Sequence, residues 1–116
     1  MNKKQKIKTE RVLVNEALAI HKSKGNGILK RWIRVNEDDE VTRYSLAYIN
    51  HNIHAEDNGR VLGYDNDHGY HHRHYKGEIE PIAFVNFEDI EDRFQKEFVV
   101  IQKEYEVSRE KRKKKK

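Results

Sequence analysis

Asn86-Phe87-Glu88-Asp89-Ile90-Glu91-Asp92-Arg93-Phe94-Gln95-Lys96-Glu97-Phe98-Val99-Val100-Ile101-Gln102-Lys103-Glu104-Tyr105 is the stretch with the clearest period in this chain. Phe87, Ile90, Phe94, Phe98, Ile101 and Tyr105 recur at helical spacing, which predicts one apolar stripe. Asn86 is a good N-cap, and Asp89 three residues on makes a near capping box. The helix is expected to run to about residue 107. Its inner face is Phe87, Ile90, Phe94, Phe98 and Ile101, with the acids from Glu88 to Glu106 outside. A helix apolar on one side needs a second layer to bury that side.

The second layer is read upstream as strands. Ile28 to Val35 alternates, with Leu29, Ile33 and Val35 on one face and Lys30, Trp32 and Arg34 on the other. After the acidic turn Asn36 to Glu40 comes a second strand, Val41 to Asn50, with Tyr44, Leu46 and Tyr48 as a core row. Asp57-Asn58-Gly59 is a hairpin signal, because Asn-Gly suits positive φ. Arg60 to Tyr64 returns as the third strand. Residues 65–77 are polar, His-rich and irregular. Glu78 to Phe84 is a weaker fourth strand, and Pro81, the only proline, suits a sheet edge.

Upstream of these, residues 5–22 carry Leu13, Ala17 and Ile20 at i, i+4, i+7, widened by Val14 and Leu18. That spacing predicts a helix, stopped by Gly25-Asn26-Gly27. The expected fold is therefore α+β, in two layers. An antiparallel four-stranded sheet carries an N-terminal and a C-terminal helix, in the order α-β-β-β-β-α. Residues 1–108 form a single domain, and 109–116 a basic tail read as disordered.

Composition bounds the function. The chain has 116 residues and a mass of 13.9 kDa, room for one ordinary domain. No apolar run approaches the roughly 18 residues of a membrane helix, and the basic start has no apolar segment behind it to make a secretory signal. The absence of cysteine removes disulfides, thiol nucleophiles and cysteine-based metal sites. A cytoplasmic location is expected, with no membrane partner. The net charge of +4 conceals a division. Residues 1–10 carry +3 and residues 109–116 carry +6, so the body between them is acidic, at −5. The C-terminal run can hold nucleic acid by counterion release, or can simply be a solvated tail.

Four of the seven histidines, His68, His71, His72 and His74, fall within seven residues. Histidine titrates near neutrality, so two of them can act as base and acid in one reaction. In an extended segment His72 and His74 share a side, with Cβ atoms roughly 7 Å apart, a spacing that could bracket a phosphate. Arg73 then faces the other way, unless a loop turns it in; its guanidinium suits phosphate oxygens. Three readings compete: a solvated loop, a metal site using Asp65 or Asp67, and a phosphodiester-cleaving site. Asp65 orients a histidine in the functional reading, and Asp65-Asn66 is a turn former in the plain one.

Five segments carry a resemblance: Arg43-Tyr44-Ser45-Leu46-Ala47-Tyr48, Arg60-Val61-Leu62-Gly63-Tyr64-Asp65-Asn66, His72-Arg73-His74, Glu80-Pro81, and Phe87-Glu88-Asp89-Ile90-Glu91-Asp92-Arg93-Phe94. In this order they resemble the TumE-type toxins of bacterial and archaeal toxin–antitoxin pairs. In that family a strand-rich domain carries Tyr-Asp-Asn, then His-x-His after a short loop, then a helix. The chain departs from it at Gly63, where the family often has arginine, and in its Lys-rich tail.

The resemblance implies a growth-inhibiting toxin acting on RNA, with an antitoxin as partner; a homodimer is a further possibility. The expected chemistry is a metal-independent endoribonuclease, needing no cofactor, because RNA supplies its own 2′-hydroxyl nucleophile. Its candidate catalytic residues are His72, His74, Asp65, Arg73, Tyr64 and Asn66. Lys30, Trp32 and Arg34 are either an exposed strand face or an RNA platform on which bases stack. With Arg60 and Lys76 they are the RNA-binding candidates. A non-catalytic nucleic-acid-binding module and a metal-dependent phosphoesterase or nucleotidyltransferase remain as alternatives.

Overall fold

Among the described residues, six antiparallel strands in simple meander order are backed by one long helix. The computed structural model describes residues 9–114. The strands are β1 (Arg11–Ala19), β2 (Ile28–Val35), β3 (Val41–Ile49), β4 (Arg60–Asp65), β5 (His72–Tyr75) and β6 (Glu78–Pro81), and the helix is α1 (Phe87–Lys114). Each strand pairs with the next in sequence, so β1 and β6 are the edges.

This overturns the expected four-stranded sheet between two helices. Arg11 to Ala19 pairs with β2 as an edge strand, with a bulge between Val12 and Val14. Its Val-Leu-Val run suits the pleat. The spacing of Leu13, Ala17 and Ile20 had suggested a buried stripe, yet no β1 side chain is buried. With no layer to face, apolar residues at helical intervals carry no helical preference. The part of the expected helix at residues 5–8 lies outside the described residues, as do residues 115 and 116 of the basic tail.

The second correction is β5, which lies inside the segment expected to be irregular. It pairs with β4 in the register Asp65↔His72, Tyr64↔Arg73, Gly63↔His74. Its buried side chains are histidines, so its alternation carries no apolar signature. The strand expected over 78–84 ends at Pro81, on the β6 edge. Asp57-Asn58-Gly59 does not close a two-residue hairpin. It forms a single turn at the entry to β4, with Asn58 and Gly59 left-handed at φ 55° and 80°. A Cβ on Gly59 would stand 2.6 Å from the His51 ring, so glycine is required there.

The core lies between the sheet and α1. Tyr44, Leu46, Tyr48, Leu62 and Tyr64 pack against Ile90, Phe94, Phe98 and Ile101, all of them buried, with Phe87 half-buried at the end. Burial of each such side chain is worth about 1.5–3 kcal/mol. Tyr48 meets Phe98 edge-on at 4.9 Å between ring centroids. The Asn86 side chain accepts from the Asp89 amide at 2.8 Å, as a helix cap does.

Not all the acids of α1 face outward. Glu91 takes Arg31 of β2 and Glu97 takes Arg73 of β5, so two glutamates bind the helix to the sheet. The helix also continues past the expected end near 107, through Lys114. Arg109 donates to the Lys22 carbonyl at 2.6 Å and Gln102 to that of Lys24, tying the far part of α1 to the β1–β2 connection.

Candidate functional site

The two faces of the sheet have different tasks. Register partners in an antiparallel sheet point to the same side. One row crosses the helix side: Arg31, Leu46, Tyr64 and Arg73. The next row along points away from the helix: Trp32, Ser45, Asp65 and His72. Lys30, Ala47, Gly63 and His74 follow beside it, and Arg34 with Arg43 continues the same face.

Asp65, His72 and His74 thus meet on the helix-free side. His72 Nε2 lies 2.8 Å from Asp65 Oδ1, and His74 Nε2 lies 2.9 Å from Asp65 Oδ2. All three residues are buried. The imidazole centroids are 4.7 Å apart, so the rings converge on one carboxylate instead of flanking a gap. His72 Nδ1 donates to the Tyr70 carbonyl at 3.1 Å, and the Tyr70 ring lies tilted against His72 with centroids 4.6 Å apart. His74 Nδ1 is buried with no partner. Burial first, and then the charge of Arg60, hold the His74 pKa below its ordinary value, with Asp65 partly opposing.

Arg60 lies over this cluster. Its Nε and Nη2 bind Asp57 at 2.9 and 3.2 Å, and its Nη1 stands 3.9 Å from Asp65 Oδ2. It can lie there because residue 63 is glycine: a Cβ on Gly63 would stand 2.9 Å from Arg60 Cδ. The position at which the family resemblance fails is therefore covered by an arginine from three residues upstream.

Tyr64 and Arg73 stand on the opposite side. The Tyr64 hydroxyl donates to Glu97, and Arg73 binds Glu97 and, at 3.3 Å, Glu80. Burial, followed by the bond to Glu97, pushes the Tyr64 phenol up to about 12. Asn66 spans the end of the β3–β4 pair: its Oδ1 accepts from the Tyr44 amide at 3.0 Å and its Nδ2 donates to the Thr42 carbonyl at 2.9 Å. Lys76 is exposed in the β5–β6 turn, its ammonium 5.4 Å from the Tyr75 ring centre.

Lys30, Trp32 and Arg34 share the face of Asp65 and the two histidines, with the Arg34 guanidinium 5.1 Å from the Trp32 ring centre. Arg43, Ser45 and Tyr70 lie outside the expected site residues. The core row Tyr44, Leu46, Tyr48 already implied that Arg43 and Ser45 face the other way; Tyr70 acts through its carbonyl, which no sequence pattern marks. Arg43 pairs with Asp67 and lines a depression of about 360 Å³ with Thr42, Asn66, His68, Tyr70 and His71.

A carboxylate gripping two imidazoles on β4 and β5 is the physical form of the Tyr-Asp-Asn and His-x-His motifs. The family model for toxin TumE matches residues 6–105. The chain belongs to the TumE toxin family. Membership implies an antitoxin partner in general terms. No curated protein and no solved structure matches the chain. Among the described residues of this TumE-family chain, no helix is long and apolar enough to cross a membrane.

Proposed function

We propose that this TumE-family toxin inhibits growth by binding RNA on its helix-free face and cleaving the RNA backbone at the Asp65–His72–His74 cluster. One observation carries the reading. The cations and aromatic ring suited to a nucleic-acid strand, Lys30, Trp32 and Arg34, lie on the same side of one sheet as Asp65, His72 and His74. Trp32 and His72 occupy one cross-strand row three strands apart, about 14 Å at the usual strand spacing. Bases stack on exposed aromatic rings without sequence preference, and Lys and Arg hold the phosphates between them.

At the cluster, Arg60 provides a guanidinium beside the reacting groups, the side chain best matched to a phosphate. RNA brings its own 2′-hydroxyl, so the protein need only move protons and stabilise charge. Asp65 holds both imidazoles in fixed orientation, as a carboxylate does in other histidine sites. Tyr64, Arg73 and Asn66 support this arrangement from behind. They hold β4 and β5 to α1 and to β3. Action in the cytoplasm, with a cognate antitoxin as restraint, completes the reading.

The test is induced expression in bacteria of the wild-type chain, a His72→Ala/His74→Ala variant and a Lys30→Ala/Arg34→Ala variant. Growth and RNA integrity are followed together. Wild type is expected to arrest growth with fragmented RNA, and both variants are expected to relieve both effects while remaining folded. Growth arrest with intact RNA would refute the RNA reading. Arrest relieved only by the Lys30→Ala/Arg34→Ala variant would favour a binding module without chemistry.

A further inference from the structure

We propose that Asp65, His72 and His74 form a binding site for one divalent transition-metal ion. The argument begins with the protons of His72. The Tyr70 carbonyl can only accept, so Nδ1 carries the proton in that 3.1 Å contact. A neutral ring then presents a bare lone pair at Nε2. That lone pair points at Asp65 Oδ1, itself an acceptor, from 2.8 Å. Two lone pairs at that separation repel, and only a cation between them makes the arrangement favourable. Either a proton or a metal ion fills that role.

The surroundings favour the metal ion. A second imidazole nitrogen, His74 Nε2, aims at the same carboxylate, and the three ligand atoms all lie within 4.8 Å of one another. His74 can meet its contact with its own proton on Nε2, and His72 then needs one added proton; one metal ion takes the place of both protons and accepts all three ligands. The Tyr70 carbonyl is the kind of outer partner that fixes a metal-binding histidine in the right tautomer and orientation. No hydrogen bond at His74 Nδ1 holds that ring in a competing tautomer. The ligands sit on two directly paired strands, so little ordering remains to be done when the ion enters.

Two imidazoles and a carboxylate suit zinc, manganese, iron, cobalt or nickel rather than magnesium or calcium, and leave coordination positions open. Arg60 is the charged group facing the cluster, and its guanidinium is already paired with Asp57. An ion there would supply a Lewis acid for a phosphate oxygen. That role rests on the proposed function, whereas binding itself does not. The site departs from the metal-free chemistry expected from the sequence.

The test uses the full chain, stripped with chelator and titrated with Co²⁺ and Zn²⁺ in the absence of RNA. We expect one ion per chain, a Co²⁺ visible spectrum displaced by Zn²⁺, and at least about 100-fold weaker binding in Asp65→Asn, His72→Gln and His74→Gln. His68→Ala should bind as wild type does. Nitrogen NMR of the wild-type imidazoles keeps the test independent of whether the variants fold. Zn²⁺ should shift Nε2 of His72 and His74 and leave a proton on Nδ1 of His72. No stoichiometric binding to the folded wild type, binding unchanged in Asp65→Asn, or a proton retained on His72 Nε2 at saturating Zn²⁺ would each overturn the site. If RNA cleavage fails while the ion still binds, the functional reading is lost and the metal site stands.

Discussion

Arg73 and Glu97 face one another between β5 and α1, the Arg73 Nε donating to Glu97 Oε2 at 3.0 Å and its terminal nitrogen to the same oxygen. The period of two along β5 sends Arg73 to the helix and its neighbours His72 and His74 to the other side. Its guanidinium therefore joins the layers and does not reach the histidine cluster. Arg73→Ala is expected to lower unfolding free energy by about 1–3 kcal/mol, the range for a hydrogen bond to a charged group left unpaired. Glu97→Ala should cost a similar amount, and the double variant less than the sum of the two. Urea unfolding of the four chains checks this. A fully stable Arg73→Ala protein with no toxicity would instead place Arg73 in the chemistry.

Trp32 is the only tryptophan, so its fluorescence reports its face of the sheet without a label. Single-stranded RNA is expected to quench it. Trp32→Ala should weaken RNA binding by roughly 5–150-fold, corresponding to about 1–3 kcal/mol of base stacking. Arg34→Ala should also reduce the slope of log K against log salt by about 0.7, one phosphate contact on a single strand. Fluorescence anisotropy of a labelled oligonucleotide over a salt series measures both. No quenching and unaltered binding in Trp32→Ala would remove this face from the RNA path.

Gly63→Ala tests the placement of Arg60. The new methyl would stand 2.9 Å from Arg60 Cδ and 3.3 Å from the Leu46 carbonyl oxygen, and only the side chain can give way readily. Arg60 is expected to swing off Asp65, with a stability change under about 2 kcal/mol and a fall in toxicity or RNA cleavage close to that of Arg60→Ala. Comparison of the two variants in parallel is the check. Full activity in both would show that the guanidinium is dispensable.

Burial raises the pKa values of the Tyr44 and Tyr48 phenols above the ordinary value of 10.0, Tyr48 despite a hydrogen bond from Asn50 that acts the other way. A tyrosine in the unfolded chain loses its proton near pH 10, whereas these two in the folded protein keep theirs to higher pH. Above pH 10 the unfolded state binds fewer protons, so stability falls as pH rises. Tyr48→Phe should be less stable at pH 8, because the Asn50 amide loses its 2.9 Å acceptor, but should show a shallower decline between pH 10 and 11. Urea midpoints at these pH values decide the matter; equal slopes would contradict it.

The elements legible in the sequence are those whose alternation meets a real core. Tyr44, Leu46 and Tyr48 in β3, and the Phe87-to-Ile101 stripe of α1, read correctly because burial and period coincide there. β1 was misread because Leu13, Ala17 and Ile20 satisfy a helical spacing that the folded protein does not use. β5 carries no legible strand signal because its buried positions are His72 and His74, held by their bonds to Asp65 and not by apolar character. The closeness of the Tyr64-Asp65-Asn66 and His72-Arg73-His74 motifs was legible from the five residues between them. The sharing of one carboxylate by both rings was not, because it depends on the β4–β5 register.

β1 is bonded to the sheet on one side only and contributes no buried side chain. Little apolar area is lost to water when it detaches, so its backbone opens at far lower free energy than β3 and β4, which are flanked on both sides. Amide hydrogen exchange should therefore be graded across the sheet, fast in β1 and slowest in the central pair. A strand that peels away readily uncovers the free backbone edge of β2, and with it the margin of the surface that carries Lys30, Trp32 and Arg34. The rate at which that margin becomes available is then set by a local breathing motion and not by unfolding of the domain.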